Sequence, residues 1–359
     1  MPHREEYTEF TPEQYPPFPD SQEFPTIDLQ TISLKKIQQN DSAEQERMVD
    51  ACKNWGFFYL ELPESEEGEV IRTGAGDVCR AAEKVFQLPL EEKEKYVFKN
   101  KSLFGYKKVG QTVTDKNRTP DTAEFFNIGK NDAIVPDDQM SRDYPPVVLQ
   151  NKPLFNKYSR SAHCIGMQIL TVLAQKLGID PNEILSRHKL EDHAGDHIRM
   201  TRGPARKTEE MPEIQTPSHT DFGTITILMN WLGGLQVYGS PNHVLGNLSY
   251  DDEAANEGAS WLWVKPKPNC AIVNLGDAAV KFTNGVLCSG RHRVVPAPAE
   301  QGKWPRYSIV YFVRPVNDCK LKTLKGHAIP EAGDEDEEGV NAQEWIFQQS
   351  ERLRLGNYK

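Results

Sequence analysis

Short runs rich in β-branched and aromatic residues dominate the second half of the chain, after about Asp196. Each run is bounded by Gly, Pro, Asn or Asp, the residues that favour turns between strands. Many short strands at this spacing are typical of a β-sandwich or jelly roll. The predicted strands span residues 223–229, 235–238, 261–264, 271–274, 293–295 and 307–313.

The first half of the chain instead places apolar residues at helical spacing. Ser42 begins a predicted helix that Gly56 ends, and Gly178 ends a longer one. Residues 99–142 are polar and contain Gly and Pro, a pattern often found in functional loops or lids. The predicted helices span 42–55, 67–86, 153–177 and 345–355, with a helical turn after Pro89 and short strands at 24–29 and 57–60.

These patterns predict helices wrapped on a β-sandwich within one domain, residues 1–359. The acidic run 331–338 is interpreted as a solvated loop. Two questions stay open at this level: whether 101–142 moves as a lid, and whether the protein is a monomer or a homodimer. The expected parts are an extended N-terminal arm (1–23), a helix-rich N-terminal part (24–195), a jelly-roll core (196–316), and an acidic loop with a C-terminal helix (317–359).

Composition narrows the function classes. The net charge of −10 argues against nucleic-acid binding, which needs a basic surface. No apolar run is long enough to span a bilayer, and the N-terminus lacks the layout of a signal peptide. The six cysteines are scattered without a Cys-x-x-Cys pair, which predicts reduced thiols and no thiolate zinc site. We therefore expect a cytoplasmic protein without a nucleic-acid or membrane partner.

His219 and Asp221 form a His-x-Asp pair where a loop meets a predicted strand, and His292 opens another strand. In extended chain, residues i and i+2 project to the same side, so one metal ion can accept both members of the pair. Zinc more often takes three imidazoles or thiolates. Two imidazoles and one carboxylate with open positions suit Fe(II) and leave room for a co-substrate and O₂. The pattern predicts a non-haem iron centre.

Other histidines lie close to acids as well. His3 and Glu5 are interpreted as a chance pair in a terminus unlikely to be ordered. Asp192, His193, Asp196 and His197 form a rival cluster, which we interpret as a polar connection before a strand.

Arg306 and Ser308 follow His292 by one predicted strand and face the same way on it. A 2-oxo acid that chelates iron leaves its distal carboxylate in need of a partner. A guanidinium can pair with that carboxylate through two parallel hydrogen bonds, and the hydroxyl can add a third. The pair predicts a co-substrate anchor.

Eight segments carry a family pattern. They are 219–228, 234–237, 273–277, 289–294 and 305–312 in the second half, and 25–29, 55–59 and 86–89 in the first. Together, over about 24–312, they resemble the Fe(II)/2-oxoglutarate-dependent dioxygenases of the isopenicillin-N-synthase-like group. Within that group the layout is similar to fungal thymine 7-hydroxylase and to fungal secondary-metabolite oxygenases.

The resemblance implies a mainly β fold with helices: a distorted double-stranded β-helix (jelly roll) core, flanked by N-terminal helices and a C-terminal helix. It implies Fe(II), with 2-oxoglutarate and O₂ as co-substrates and succinate and CO₂ as products. Under it, His219, Asp221 and His292 are the metal ligands, and Arg306 and Ser308 bind 2-oxoglutarate.

One stretch departs from the family pattern. Relatives commonly read Leu-Arg-Leu-x-His-Tyr-Pro before the loop that carries His219 and Asp221 (the metal loop). This chain keeps Arg199 but has Arg202 and Gly203 in place of the His-Tyr pair. The departure affects the substrate side and leaves the co-substrate anchor intact. We therefore predict a substrate unlike thymine.

Candidates for the substrate pocket are less strongly marked, and core packing is the alternative interpretation for each aromatic residue. Gly276 and Asp277 are interpreted as turn residues. The pocket candidates are Arg199, Phe222, Phe312, Asn230, Trp231 and Phe126, with Phe125 as its neighbour.

The leading hypothesis is a single catalytic domain that oxidises a small organic molecule in fungal secondary metabolism, by hydroxylation, desaturation, ring modification or epoxidation. Iron would do the redox chemistry, while the protein binds, orients and excludes water. Alternatives are an Fe(II) oxidase of the same fold that does not use 2-oxoglutarate, a nucleobase hydroxylase, a metal-free binding protein and a zinc hydrolase.

Overall fold

The computed structural model describes residues 10–98, 102–115, 117–206, 214–240, 243–244, 247, 258–333 and 339–355. Its helices are α1 (Leu34–Gln38), α2 (Ser42–Asn54), α3 (Glu66–Phe86), α4 (Leu90–Lys93), α5 (Lys130–Ile134), α6 (Pro146–Gln150), α7 (Lys152–Leu177), α8 (Pro181–Leu185), α9 (Asp277–Phe282) and α10 (Ala342–Leu355). Its strands are β1 (Thr31–Ser33), β2 (Phe57–Glu61), β3 (Gly105–Lys107), β4 (Glu124–Gly129), β5 (His197–Gly203), β6 (Thr216–His219), β7 (Ile225–Asn230), β8 (Leu235–Ser240), β9 (His243–Val244), β10 (Ser260–Trp263), β11 (Cys270–Leu275), β12 (His292–Val294), β13 (Arg306–Val313), β14 (Lys320–Leu321) and β15 (Val340–Asn341).

Two sheets form the centre of the molecule. The larger has eight strands in the order β1-β2-β11-β7-β13-β5-β4-β3, and the smaller has the order β10-β8-β12-β6 with β9 paired to β8. Strand pairing is antiparallel except between β1 and β2. Strands β14 and β15 form a separate two-stranded ribbon.

Strand β13 separates two environments because successive side chains point to opposite faces. Its odd-numbered positions, from Tyr307 to Val313, are buried in the core beneath the helices. Its even-numbered positions, from Arg306 to Phe312, face the space between the two sheets. The larger sheet therefore has an apolar face against the helices and a partly polar face toward the smaller sheet.

Helices α2, α3 and α7 cover the outer face of the larger sheet and share one apolar core with it. Asp41 and Ser65 cap α2 and α3 by accepting hydrogen bonds from the backbone N–H three residues on, at 2.9 and 3.2 Å. Gly178 ends α7 in the left-handed conformation, with φ of 71°. The predicted boundaries of these helices are confirmed to within one or two residues.

Residues 10–23 of the N-terminal arm lie against the core. Phe10 is buried, with its ring centroid 4.6 Å from that of Trp231 and 5.8 Å from that of Tyr307. The backbone N–H of Phe10 also donates a hydrogen bond to Glu83 on α3. The arm is thus part of the packed structure from Phe10 onward.

Two sequence predictions are wrong. Residues 24–29 form only an isolated bridge, between Thr26 and Trp263, and the first strand begins at Thr31. The apolar signal there reflects the burial of Ile27 and Leu29 between the sheets. The stretch 99–142, interpreted as irregular, contains β3, β4 and α5, because pairing with β5 organises a segment whose local pattern is weak.

The expected core with flanking helices is present, although helix accounts for 39% of the chain and strand for 23%. Helix exceeds strand because two long helices, α3 and α7, contain 21 and 26 residues. All six cysteines are free thiols. Among the described residues, every helix is too short or too polar to cross a bilayer. Most of the acidic run, 334–338, lies outside the described residues.

Candidate metal centre and co-substrate pocket

The smaller sheet brings the three predicted metal ligands together. His219 ends β6 and His292 opens β12, and the antiparallel pairing of these strands places the two residues opposite each other. Asp221 follows His219 by two residues, and its Oδ1 lies 3.7 Å from Nε2 of His219 and 4.0 Å from Nε2 of His292. All three ligand atoms lie within 4.8 Å of one another, so one ion could contact all of them.

Backbone carbonyls set the orientation of both imidazoles. Nδ1 of His219 lies 2.8 Å from the carbonyl oxygen of Pro217, and Nδ1 of His292 lies 3.1 Å from that of Gly290. A carbonyl oxygen can only accept, so each neutral ring carries its proton on Nδ1. Each Nε2 therefore presents its lone pair to the centre of the group, as a metal ligand requires.

Asp221 is held by two hydrogen bonds to one of its oxygens. Thr226 on β7 and Asn274 on β11 donate to Oδ2 at 2.6 and 2.7 Å. Oδ1 is left facing the two imidazoles. The larger sheet thus fixes the rotamer of Asp221, a candidate ligand in the loop that follows β6.

The charges suit a divalent cation. Burial, and then the neighbouring His292, lower the pKa of His219 well below its ordinary value, so this imidazole is neutral at pH 7. Burial alone would raise the pKa of Asp221, but the two histidines and the hydrogen bonds from Asn274 and Thr226 outweigh it and lower the pKa. A neutral imidazole beside an ionised carboxylate is the protonation state that metal binding needs.

Asp277, interpreted from the sequence as a turn residue, also forms hydrogen bonds with the metal loop. Its carboxylate accepts a hydrogen bond from Thr220, between the ligands, at 3.0 Å, and its backbone N–H donates to the carbonyl of Asp221 at 2.7 Å. Burial raises the pKa of Asp277 to about 6. A Cβ at Gly276 would lie 2.4 Å from the carbonyl oxygen of Gly223. The start of α9 therefore packs against the metal loop and is hydrogen-bonded to it.

We expect Asn274→Ala to weaken Fe(II) binding by about 10- to 100-fold, the usual effect of removing a hydrogen bond to a metal ligand. Oδ2 of Asp221 would keep its hydrogen bond from Thr226 but lose the one from Asn274, so the carboxylate would be free to rotate. Anaerobic Fe(II) titration of the purified variant measures the change. An unchanged dissociation constant, with an unchanged melting temperature, would show that Asn274 does not position the carboxylate.

A cavity of about 910 Å³ opens from these residues and contains the predicted co-substrate anchor. Arg306 is 2% exposed, and its guanidinium donates to the carbonyl of Gly233 at 2.8 Å and to the hydroxyl of Ser308 at 3.3 Å. Burial lowers the pKa of Arg306 to about 10, so it stays cationic at neutral pH. Among the described residues no carboxylate pairs with it, and an anionic ligand would complete its contacts.

Three of the substrate-pocket candidates line the same cavity: Arg199, Phe222 and Phe312. The guanidinium carbon of Arg199 lies 4.1 Å from the ring centroid of Phe125 and 5.0 Å from that of Phe312. Its Nε donates to Asn127 at 3.0 Å. Phe125, the sequence neighbour of Phe126, therefore lines the cavity, and Asn127 holds Arg199 in place there.

The other three candidates lie elsewhere, and their assignment to the pocket is wrong. Phe126 is fully buried in the core beneath the helices, because its side chain points to the opposite face of β4 from Phe125. Asn230 donates a hydrogen bond to the carbonyl of Leu232 at the end of β7. Trp231 packs under Phe10 of the N-terminal arm.

We expect Phe126→Ala to lower the free energy of unfolding by about 3–5 kcal/mol, since it leaves a large void in a closed core. Phe125→Ala is the matched control from the next position on the strand, and should cost only about 1 kcal/mol because Phe125 already borders the cavity. Chemical denaturation of both variants tests the assignment. If both variants lose the same free energy of unfolding, the two faces of β4 are wrongly assigned.

The rival cluster around Asp192 does not gather as a metal site. His219, Asp221 and His292 are the one group of metal-ligating side chains found among the described residues. Nδ1 of His197 lies 2.8 Å from the carbonyl oxygen of Gly195, and its ring centroid lies 4.6 Å from that of Phe312, with the two rings tilted by 34°. The interpretation of this segment as a polar connection agrees with that placement. His3 and Glu5 lie outside the described residues.

Helix α10 lines part of the cavity, which the sequence did not indicate. Phe347, Glu351 and Arg354 are among its lining residues. The backbone N–H of Val113 donates to the carbonyl of Arg354 at 3.3 Å, which joins the end of α10 to the loop after β3. Helix α10 and the loop after β3 therefore both contribute to the cavity wall.

Two family models match the chain. Residues 24–151 match the model described as "non-haem dioxygenase in morphine synthesis N-terminal", and residues 194–315 match the 2OG-Fe(II) oxygenase superfamily. A 2-oxoglutarate-dependent dioxygenase of Aspergillus fumigatus is 33% identical over 320 residues, which cover 87% of this chain and 81% of the relative. Another, gloE of Glarea lozoyensis, is 28% identical over 302 residues and 84% of each chain.

Solved structures show the same fold. The thymine 7-hydroxylase of Neurospora crassa in complex with alpha-KG superimposes with a TM-score of 0.71 at 24% identity, covering 90% of this chain and 96% of that one. JOX2 in complex with 2OG, Fe and JA superimposes with a TM-score of 0.65 at 19% identity, covering 99% and 96%. The expected jelly-roll core is thereby confirmed. The chain belongs to the 2OG-Fe(II) oxygenase superfamily and is an Fe(II)- and 2-oxoglutarate-dependent dioxygenase.

Proposed function

We propose that this dioxygenase holds Fe(II) through His219, Asp221 and His292, binds 2-oxoglutarate through Arg306 and Ser308, and oxidises a small organic molecule of fungal secondary metabolism. The observation that carries the proposal is a shared cavity: three converging ligand atoms and a buried guanidinium without a carboxylate partner among the described residues line the same space. The similar 2-oxoglutarate-dependent dioxygenases of Aspergillus, Glarea and another fungus support the fungal part of this proposal.

The donor set fits Fe(II). Two imidazole nitrogens and one carboxylate oxygen lie on one side of the site, and this combination leaves coordination positions for other ligands. Fe(II), when bound with 2-oxoglutarate and O₂, supplies the oxidising chemistry. Replacing the carboxylate by a third imidazole would favour zinc, and the described residues offer none within this group.

The protein's own residues have three tasks in this proposal. The carbonyls of Pro217 and Gly290 keep a proton on each Nδ1, so that both Nε2 atoms remain available. Arg306 holds the distal carboxylate of the co-substrate and so fixes the direction from which the 2-oxo group reaches the metal. Phe222 and Phe312 give the substrate side apolar walls that limit the entry of water.

We also propose that residues 1–359 act as one catalytic domain. The helix-rich part supplies β1 and β2 at one edge of the larger sheet, and β3 and β4 at the other. One apolar core runs from these strands through α3 and α7. A cavity of about 910 Å³ is of the size that takes a small organic molecule together with a co-substrate.

The test is O₂ consumption and succinate release by the Fe(II)-loaded protein, with and without 2-oxoglutarate, during a substrate screen that includes thymine. We expect O₂ consumption to require 2-oxoglutarate and to match succinate release, and thymine not to stimulate it. Consumption of O₂ without 2-oxoglutarate would favour an oxidase of the same fold. Stimulation by thymine would favour a nucleobase hydroxylase.

A further inference from the structure

The cavity-facing row of β13 ends in a second arginine. Arg306, Ser308, Val310, Phe312 and Arg314 all line the cavity at alternate positions, as the pleat of a strand requires. Arg306 lies at the co-substrate end of the row. Arg314 lies at the other end, one residue beyond the end of β13 and two beyond Phe312.

Arg314 is buried without the contacts that a buried guanidinium needs. It is 4% exposed, and among the described residues its Nε and Nη1 have no hydrogen-bond partner and no carboxylate forms an ion pair with it. Burial lowers the pKa of Arg314 to about 10, which leaves it cationic at neutral pH. A buried cation with unused N–H groups is costly, and native proteins seldom keep one unless something completes it.

The two carboxylates whose charge reaches Arg314 are those of Asp221 and Asp196. Oδ2 of Asp221 accepts from Thr226 and Asn274, and its Oδ1 faces the two histidines of the metal centre. Oδ1 of Asp196 lies 3.5 Å from Nδ1 of His163, but neither oxygen of this buried carboxylate has a hydrogen-bond partner among the described residues. Neither carboxylate forms an ion pair with Arg314 there, so neither supplies the paired acceptors that a guanidinium favours.

The surroundings of Arg314 hold its side chain in one place. A Cβ at Gly195 would lie 3.0 Å from its Cδ, and a Cβ at Gly223 would lie 3.0 Å from its Cγ. Its guanidinium carbon lies 5.1 Å from the ring centroid of Phe312. The guanidinium carbon of Arg199 lies 5.0 Å from the same ring centroid. Phe312 is therefore an aromatic platform bordered by two guanidinium groups.

We propose that Arg314, with Arg199 beside it, binds a carboxylate of the substrate, so that the substrates of this enzyme are small organic acids. The carboxylate would form two parallel hydrogen bonds with Arg314 while the apolar part of the acid lies against Phe312. This inference rests on the proposed function, since it assigns Arg306 to the co-substrate and the opposite end of the row to the substrate. A neutral molecule such as a nucleobase would leave Arg314 without a counter-charge.

The experiment compares acids with their primary amides on wild-type protein loaded anaerobically with Mn(II) and 2-oxoglutarate. The probes are benzoate, phenylacetate and 3-phenylpropanoate, each against its amide, in calorimetric titrations. We expect at least one acid to bind about tenfold or more tightly than its amide, because the amide has the same shape and no charge. Arg314→Gln should abolish this preference and leave the affinity for 2-oxoglutarate unchanged. The structure places Arg202 outside the cavity, where it pairs with Glu124, and not on the substrate side as the sequence suggested. Arg202→Gln should therefore leave both unchanged.

Two further measurements keep the result decisive. Arg314→Lys retains the charge without the planar fork, so it should keep part of the preference. A crystal structure of the complex with the preferred acid should place its carboxylate oxygens within hydrogen-bond distance of Arg314. The inference is overturned if no acid is preferred to its amide, or if Arg314→Gln keeps the preference. It is also overturned if Arg314→Gln loses 2-oxoglutarate. Failure of the wild-type protein to bind the metal or 2-oxoglutarate would instead refute the proposed function.

Discussion

His219→Ala abolishes stoichiometric Fe(II) binding and reduces 2-oxoglutarate turnover to background: this is the largest effect that we expect. The variant leaves one imidazole and one carboxylate around a position where three ligand atoms now converge within 4.8 Å. Loss of a hydrogen bond to a ligand commonly costs about 10- to 100-fold in metal affinity, so loss of a ligand should exceed about 100-fold. Anaerobic Fe(II) titration and succinate release measure the two consequences.

His193→Ala is the matched control. His193 is exposed and belongs to the rival cluster of histidines and acids, away from the converging group. It should bind Fe(II) and turn over 2-oxoglutarate as the wild type does. Undiminished Fe(II) binding by His219→Ala, or loss of binding in the control, would place the iron somewhere other than the proposed site.

Arg306→Gln should weaken 2-oxoglutarate binding by roughly 30-fold to several thousand-fold. Truncating one member of a buried charge pair costs about 2–5 kcal/mol, and each step of about 1.4 kcal/mol is a factor of ten. Metal binding should be unaffected, since Arg306 lies at the other end of the cavity-facing row from Phe312, which is beside the metal loop. Anaerobic titration of the Fe(II) protein with 2-oxoglutarate gives the affinity.

Two comparisons separate binding from folding. Arg306→Lys should recover part of the affinity, because the charge remains while the planar fork is lost. Arg202→Gln removes an arginine from the neighbouring strand, outside the cavity, and should leave 2-oxoglutarate affinity unchanged. Melting temperatures of all three variants check that the fold survives. If Arg306→Gln binds 2-oxoglutarate as tightly as the wild type does, Arg306 is not the anchor of the co-substrate.

The proposed metal ligands and the proposed anchor could be predicted from the sequence because their geometry depends on short-range alternation. His219 and Asp221 are two residues apart, as are Arg306 and Ser308, and both pairs sit at strand signals. Including His292 required the assumption that its strand pairs with the strand of His219. The register between β12 and β6 does place His292 opposite His219.

The substrate side could not be found in the same way. Phe125 and Phe126 are adjacent, so the choice between them depends on which face of β4 points inward, and that is set by pairing with β5. Asp277 and Asn274 act on the metal loop from more than fifty residues away. Such contacts depend on the order of strands in the sheet, which local patterns do not contain.

The alternation along β13 has a consequence for how this enzyme can change. Because aromatic and aliphatic residues fill one face and Arg306, Ser308 and Arg314 lie on the other, a one-residue deletion would exchange the faces. Cations would enter the apolar layer while tyrosines replaced the ligand-binding groups, so folding and chemistry would fail together. Along this strand, divergence toward new substrates is therefore confined to substitutions at the even-numbered positions.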